Sequence, residues 1–470
     1  MRVLVVGGGP AGVTAAIQAR ELGADVTLLE ADQIGGTNLN RGPTPVRTLA
    51  RAARLARDWS SWDRFGLEGP RPVPNLDAVL ANCARVARYA HDKKDISGHL
   101  RQHGIDLVDH LGPVRFTGPR TVRAGDGRSW HGDRIVIAVG CRAAPLPVPG
   151  GELALTYQDI LLLKALPYEV AVIGGADTGC QIASIFADFG SQVRLIEAGP
   201  RIVPSADASI SAALSQAFDA KGMTVITGAR VQALEPGSER VTIHFTSGGP
   251  AEYTAADAVF AAVGWPASLQ DLDLDAAGVD RSPRAIPVDD CLRTNVAHIF
   301  AAGDVNGRSK LVQTARLEGR IAAWNAVRGP SRQMAYEAIP SGSFTDPEYG
   351  SVGMTEDQAA REHEIAVGIA RYDDLVRPVA DGQPDGFCKL IADRHSHAIL
   401  GAHVLGEYSA ETVQVVATAM AAGMSVEQVA EMQFAFPTFT EGVSMAAQKA
   451  CRSIGIGEFP PTWSYLGPEQ

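Results

Sequence analysis

The 470-residue chain is 46% hydrophobic and 20% charged, a composition that excludes a disordered segment and suits a soluble globular enzyme with room for about three domains. Its formal net charge of -11 argues against nucleic acid or an anionic membrane as the main partner and leaves small molecules. Cys83, Cys141, Cys180, Cys291, Cys388 and Cys451 are scattered without metal-ligand or Cys-x-x-Cys spacing, so no metal site is expected and a reducing, cytoplasmic location is.

In chain order, Arg2 to Val6 reads as an apolar strand, Gly7-Gly8-Gly9-Pro10-Ala11-Gly12 as a glycine turn, Ala11 to Leu22 as a helix and Asp25 to Glu30 as a second strand. This is the pattern of a dinucleotide-binding βαβ unit. Gly7 permits the tight turn, Gly9 lets a pyrophosphate approach the backbone, Gly12 lets helix pack on strand, and Glu30 accepts from a ribose hydroxyl. The start of the chain is too abruptly ended by glycine for a signal peptide. Arg47, Arg51 and Arg54 follow at i, i+4, i+7 spacing on one helical face.

The βαβ pattern returns at Val170 to Ile173, Gly174-Gly175-Ala176-Asp177-Thr178-Gly179, a helix to about Phe189 and Gln192 to Glu197. Glu30 lies 23 residues after Gly7, and Glu197 lies 23 after Gly174. One glycine motif is unspecific; two with matched internal spacing are an internal repeat. The stretch from Thr412 to Met424 is the most apolar helical segment, yet it is too short for a membrane span.

Other segments carry a resemblance. Gly35-Gly36-Thr37-Asn38-Leu39-Asn40-Arg41-Gly42-Pro43-Thr44-Pro45 resembles the redox-disulfide segment of the class I pyridine nucleotide-disulfide oxidoreductases, the dihydrolipoamide dehydrogenase, glutathione reductase and mercuric reductase group, with Asn38 and Pro43 at the two sulfur positions. Gln433 to Glu441 resembles that family's C-terminal His-x-His-Pro-Thr-x-x-Glu segment, with Phe436 at the catalytic histidine and Glu441 retained. Ile135 to Gly140 and Phe300-Ala301-Ala302-Gly303-Asp304 are similar to its further flavin-binding segments. Phe344 to Glu348, Ser351 to Glu356 and Ile399 to His403 are similar to its interface domain.

The resemblance implies an α/β fold of two Rossmann-like dinucleotide-binding domains, the NAD domain inserted in the FAD domain, plus a C-terminal α+β dimerisation domain. The expected division is 1–149 with 270–336 for FAD, 150–269 for NAD(P) and 337–470 for the interface. FAD is expected on Gly7, Gly9, Gly12, Glu30, Gly36, Thr37, Val114, Ala138, Gly140, Gly303 and Asp304, with Asp304 on the ribityl chain. NAD(H) is expected on Gly174, Gly179, Glu197 and Gly264, and in preference to NADP(H) because Glu197 repels a 2′-phosphate. A homodimer with active sites shared across the interface follows, so that Phe436 and Glu441 face the partner's flavin.

With neither a thiolate at Asn38 and Pro43 nor a titratable proton at Phe436, the thiol relay is lost. Arg47 stands at the family's lysine and Gln181 at the glutamate that pairs with it, which implies a cation-to-amide hydrogen bond and a net positive charge beside the flavin. The alternative for Arg47 is a helix-surface arginine, and for Phe434, Phe436 and Phe439 plain interface packing. Arg47, Asn38, Phe436, Glu441 and Gln181 are the expected catalytic set. Ala176 in place of the middle glycine, Asp177 in place of a tyrosine and Trp265 in place of an arginine all disfavour the nicotinamide half. Three functions remain open at this point. One is an FAD-dependent oxidoreductase that passes hydride or electrons from NADH to a non-thiol organic acceptor of quinone or unsaturated carbonyl type. The second is an FAD enzyme of small-molecule biosynthesis that does not turn over NAD(P)H, and the third is a non-catalytic flavoprotein subunit.

Overall fold

A computed structural model describes residues 1–456; the last part of the 337–470 segment, 457–470, lies outside the described residues. The strand Arg2–Val6 is buried from Val3 onward and pairs in parallel with Asp25–Leu29 on one side and Arg134–Ile137 on the other. Asp106–Val108 closes one edge, and Ile299–Ala301 pairs with Arg134–Ile137 at the other. Between Arg134–Ile137 and Ile299–Ala301 the chain builds a second parallel sheet in the order Thr224–Ile226, Gln192–Ile196, Glu169–Ile173, Ala258–Ala261. One nucleotide-binding unit thus interrupts the other.

The two turns obey the same steric rule. Gly7 and Gly174 hold φ of +106° and +103°, and a Cβ on them would lie 2.3 Å from the Ala138 carbonyl oxygen and 2.5 Å from that of Ala262. A Cβ on Gly12 or Gly179 would meet the Gly7 or Gly174 carbonyl oxygen at 1.7 or 1.8 Å, so only glycine lets each helix start so close to its strand. The first helix runs Pro10–Glu21 rather than Ala11 to Leu22, because the proline supplies a preset φ and lacks the N–H that a first turn leaves unpaired. The strands end at Leu29 and Ile196, one residue short of Glu30 and Glu197, which are therefore free to fold back over their turns.

The returning segment is locked by helix Val312–Arg328, whose Gly319 packs so tightly on helix Pro10–Glu21 that a Cβ would lie 2.2 Å from the Ala11 carbonyl oxygen. From Ser341 onward the chain forms a five-stranded antiparallel sheet in the order Ser341–Ser343, Tyr349–Gly353, Ile399–Leu405, Phe387–Asp393, Ile365–Arg371, packed by helices Ser409–Ala421 and Glu441–Ile454. The apolar helix expected around Thr412 to Met424 starts three residues earlier and stops before Gly423, which takes a φ of +66°. No helix among the described residues is long and apolar enough to cross a membrane. The fold is the expected α/β pair of Rossmann-like units with a C-terminal α+β domain.

Helix Pro43–Arg57 joins these parts. Val46, Leu49, Ala50 and Ala53 are buried in one core with Ile182 and Phe186 of the second turn helix, Asp177–Phe189. Its N-terminal half, with Pro43, Val46, Arg47 and Ala50, faces the space between the two turns.

Candidate active site

That space is a single cleft of about 1520 Å³ reaching from the first glycine turn to the second turn helix. At the first turn, Gly9 faces it with open room: a Cβ there would have nothing nearer than the Gly36 Cα at 4.0 Å, so the glycine is kept for a ligand and not for packing. Gly36 holds a φ of +60° against Gly9, and Thr37 lines the wall beside it. Glu30 accepts the Gly8 N–H at 2.5 Å and the Asp32 N–H at 2.8 Å, and burial pushes its carboxyl up. Glu197 repeats the arrangement in the second unit, accepting from Gly175 and Gly199 at 2.5 Å each.

Asp304 extends from the sheet edge at Ile299–Ala301, preceded by Gly303 at φ +79°. Burial raises its carboxyl pKa, and no side chain among the described residues donates a hydrogen bond to it. A half-buried carboxylate that no other side chain engages, with only its own backbone N–H as donor, suits a polyol hydroxyl. Ala138 and Gly140 line the same wall; Val114 does not, its side chain packing with Leu111, Phe116 and Val122 in the core beneath. With the open glycine and a carboxylate that no side chain engages, these residues fit a flavin dinucleotide.

Asn38 and Pro43, carried by the short helix Gly36–Asn40 and the first turn of Pro43–Arg57, both line the cleft. Arg47 follows one turn further on, but its partner is not Gln181. The guanidinium carbon lies 3.2 Å from the Phe344 ring centroid and Nη1 is 3.4 Å from Glu348 Oε1, whereas Gln181 Nε2 donates to Ser343 Oγ at 3.4 Å. The expected cation-to-amide bond is replaced by a stacked cation with a carboxylate beside it. The positive charge is accordingly shared: Glu348 also accepts from Arg54 Nη1 at 2.8 Å, and Arg54 donates to the Thr345 carbonyl at 2.8 Å.

Arg54 is one residue that sequence reasoning missed. The second is Cys141, which lines the cleft and donates through Sγ to the Asp304 carbonyl oxygen at 3.2 Å. Burial and the Asp304 charge push this thiol up to about 11. All six cysteines are free. The third is Tyr349, a buried residue whose hydroxyl donates to the Asp177 carboxylate in the cleft. Trp265 turns its indole N–H to Thr178 Oγ1 at 3.1 Å and meets Tyr157 edge-on with ring centroids 6.0 Å apart, while Gly264, next in chain, takes a φ of +129°.

Phe436 and Glu441 are not part of this cleft. Phe436 is 63% exposed in the single chain. Glu441 begins helix Glu441–Ile454 with its Oε2 buried and unpartnered, and burial pushes its carboxyl up. No group of three or more His, Cys, Asp or Glu among the described residues could hold a metal ion.

Residues 1–319 match the family described as pyridine nucleotide-disulphide oxidoreductase, and residues 339–447 match its dimerisation domain. The chain is 32% identical to a dihydrolipoyl dehydrogenase from Zymomonas mobilis over 94% of its own length and 96% of the relative's. It is 29% identical to a mercuric reductase from Bacillus cereus over 94% and 70%. Among solved structures, the HOCl-induced flavoprotein disulfide reductase RclA from Escherichia coli superposes with a TM-score of 0.85 at 25% identity, covering 95% of this chain and 99% of that one. The glycine turns, the interrupted first sheet and these matches define a two-nucleotide flavin oxidoreductase fold. The chain belongs to the pyridine nucleotide-disulphide oxidoreductases, a family of flavin-dependent pyridine nucleotide oxidoreductases.

Proposed function

We propose that this protein is an FAD-dependent oxidoreductase in which NADH supplies hydride and a non-thiol organic molecule of quinone or unsaturated carbonyl type receives it. One observation carries this reading: Asn38 and Pro43, which by the resemblance of their segment stand for the family's two sulfurs, both line the cleft. The one cysteine that lines the cleft, Cys141, is a high-pKa thiol occupied with a backbone carbonyl, which makes it a poor nucleophile. Residues 1–149 with 270–336 would hold FAD and 150–269 would hold NAD(H), with Glu197 against a 2′-phosphate; 337–470 would form the homodimer. Bound flavin supplies the hydride and electron chemistry.

The chain's own groups orient and charge the site. Arg47, flat on Phe344, offers a cation to a developing oxyanion or carboxylate, and Glu348 fixes its direction. Asn38 offers an amide. Phe436 and Glu441 of the second subunit would roof the pocket left by the sulfurs, which Gln181 and Ser343 also line. Anaerobic rapid mixing of the purified flavoprotein with NADH tests the reading: the flavin absorbance should bleach, then recover on adding a quinone but not lipoamide or oxidised glutathione. An absorbance unchanged at saturating NADH, or recovery with the disulfides, would sink it.

Ala176, whose methyl stands at the second turn's middle-glycine position where a pyrophosphate would come closest, favours a second reading in which the second unit does not turn over NADH and a metabolite reduces the flavin directly. Bleaching by a candidate metabolite with no nucleotide present, together with indifference to NADH, would select it.

A further inference from the structure

The second turn carries an acidic group where the first carries none. Asp177 opens the 13-residue helix Asp177–Phe189, whereas helix Pro10–Glu21 has no acidic residue in its first turn. A carboxylate at that place stabilises its own helix but opposes an anionic ligand. Here it is directed. The Tyr349 hydroxyl donates to Asp177 Oδ1, and Tyr349 is only 5% exposed, anchored in the core that helix Pro43–Arg57 and helix Asp177–Phe189 share. Tyr349 pairs with Ser343 across the strands, and its buried phenol also bonds to the Ser343 side chain, so packing and two polar partners hold it in place. Burial and the neighbouring carboxylate raise the phenol pKa well above its usual value, which keeps the proton on tyrosine and leaves Asp177 the acceptor.

An ionised carboxylate offers about four lone-pair sites, of which tyrosine uses one. No Lys, Arg or His among the described residues pairs with Asp177, and it lines the cleft together with Thr178 and Gln181. A dinucleotide with its ribose at Glu197 that extends into this cleft would meet the Asp177, Thr178 and Gln181 wall at the second-turn end. Asp177 would there offer its free side to the ligand's far ring, in the cleft that the Tyr157 and Trp265 rings also line.

We propose that Asp177, held by Tyr349, is a specificity-determining acceptor that selects a second-unit ligand presenting an N–H donor on a flat ring, as the carboxamide of a nicotinamide does. The proposal rests on the NADH reading above.

The test is calorimetric titration of the purified flavoprotein with NAD⁺ and with 3-acetylpyridine adenine dinucleotide, in which a methyl ketone replaces the amide. A hydrogen bond to a charged group is worth roughly a ten-fold or greater difference in affinity. Wild type should therefore bind NAD⁺ about ten-fold more tightly than the analogue, and Asp177→Ala should bring the ratio to about one. Tyr349→Phe, which keeps the ring and the core, should reduce the ratio part of the way. If NAD⁺ binds but the wild-type ratio is near one, or if Asp177→Ala leaves the ratio unchanged, the proposal fails alone. If NAD⁺ does not bind wild type at all, the NADH reading fails and takes this proposal with it.

Discussion

At the residue scale, Arg47, Arg51 and Arg54 read alike in the sequence but end in three different environments. Arg51 is exposed, Arg47 stacks half-exposed on Phe344, and Arg54 is buried against Glu348 and the Thr345 carbonyl. Helical spacing showed that they share a face. It could not show which one turns inward, because the partner carboxylate is 294 positions away in sequence. The same distance hid the fate of Gln181: its replacement of a glutamate was visible, the competing claim of Glu348 on Arg47 was not. Removing one member of a buried ion pair strands the other, which costs about 3–5 kcal/mol. Arg54→Met should therefore lower the unfolding free energy of the flavoprotein by that order, while Arg51→Met should stay within about 0.5 kcal/mol of wild type. Urea unfolding followed by tryptophan fluorescence measures both; equal losses at the two sites would contradict the assignment of Arg54 to the core.

At the element scale, the two βαβ units were legible because glycine spacing and the acidic residue after each second strand are local signals, repeated once. Strand Ile299–Ala301 was legible only through its Gly303-Asp304 sequel, since its partner Arg134–Ile137 lies across the whole second unit. The difference between the two turns is itself testable. A Cβ at Gly9 meets no packed atom, and Ala176 holds a methyl at the matching place in the second turn. Gly9→Ala should leave the fold intact and reduce FAD retention during dialysis, whereas Ala176→Gly should tighten NAD⁺ several-fold by clearing the pyrophosphate approach. A Gly9→Ala protein that keeps its full flavin content would show that the pyrophosphate does not run over this turn. The second unit is also tied to the C-terminal sheet, through Asp207, which caps helix Ala208–Ala220 and accepts from the buried Lys389 ammonium at 2.7 Å. Burial works to raise the Asp207 carboxyl, but Lys389, Ser209 and the Glu356 N–H outweigh it and hold the pKa well below the usual range. The contribution of this carboxylate is complete above its unfolded value near 4 and is lost as pH falls below that value. Asp207→Asn should therefore flatten the acid limb of the stability–pH curve, a slope that thermal melts between pH 3 and 5 would read.

At the scale of the whole molecule, one chain contains a cleft and, apart from it, an exposed Phe436 and an orphaned Glu441 oxygen. A buried unpartnered carboxyl oxygen is unfavourable in a finished surface, and the matched dimerisation domain at 339–447 contains both Glu441 and Phe436. If the C-terminal segment completes the partner's cleft, lesions in the two places should complement. In a hybrid dimer of one Arg47→Ala subunit and one Phe436→Ala subunit, one site would carry both lesions and the other neither. Differently tagged subunits purified as hybrids should then recover about half of the wild-type turnover, although each homodimer is impaired at both sites. If instead every chain builds its site alone, each site in the hybrid carries one lesion, and its activity stays at the mean of the two mutant homodimers. The two outcomes separate cleanly because the arithmetic of shared sites, unlike that of independent ones, restores an intact site from two damaged chains.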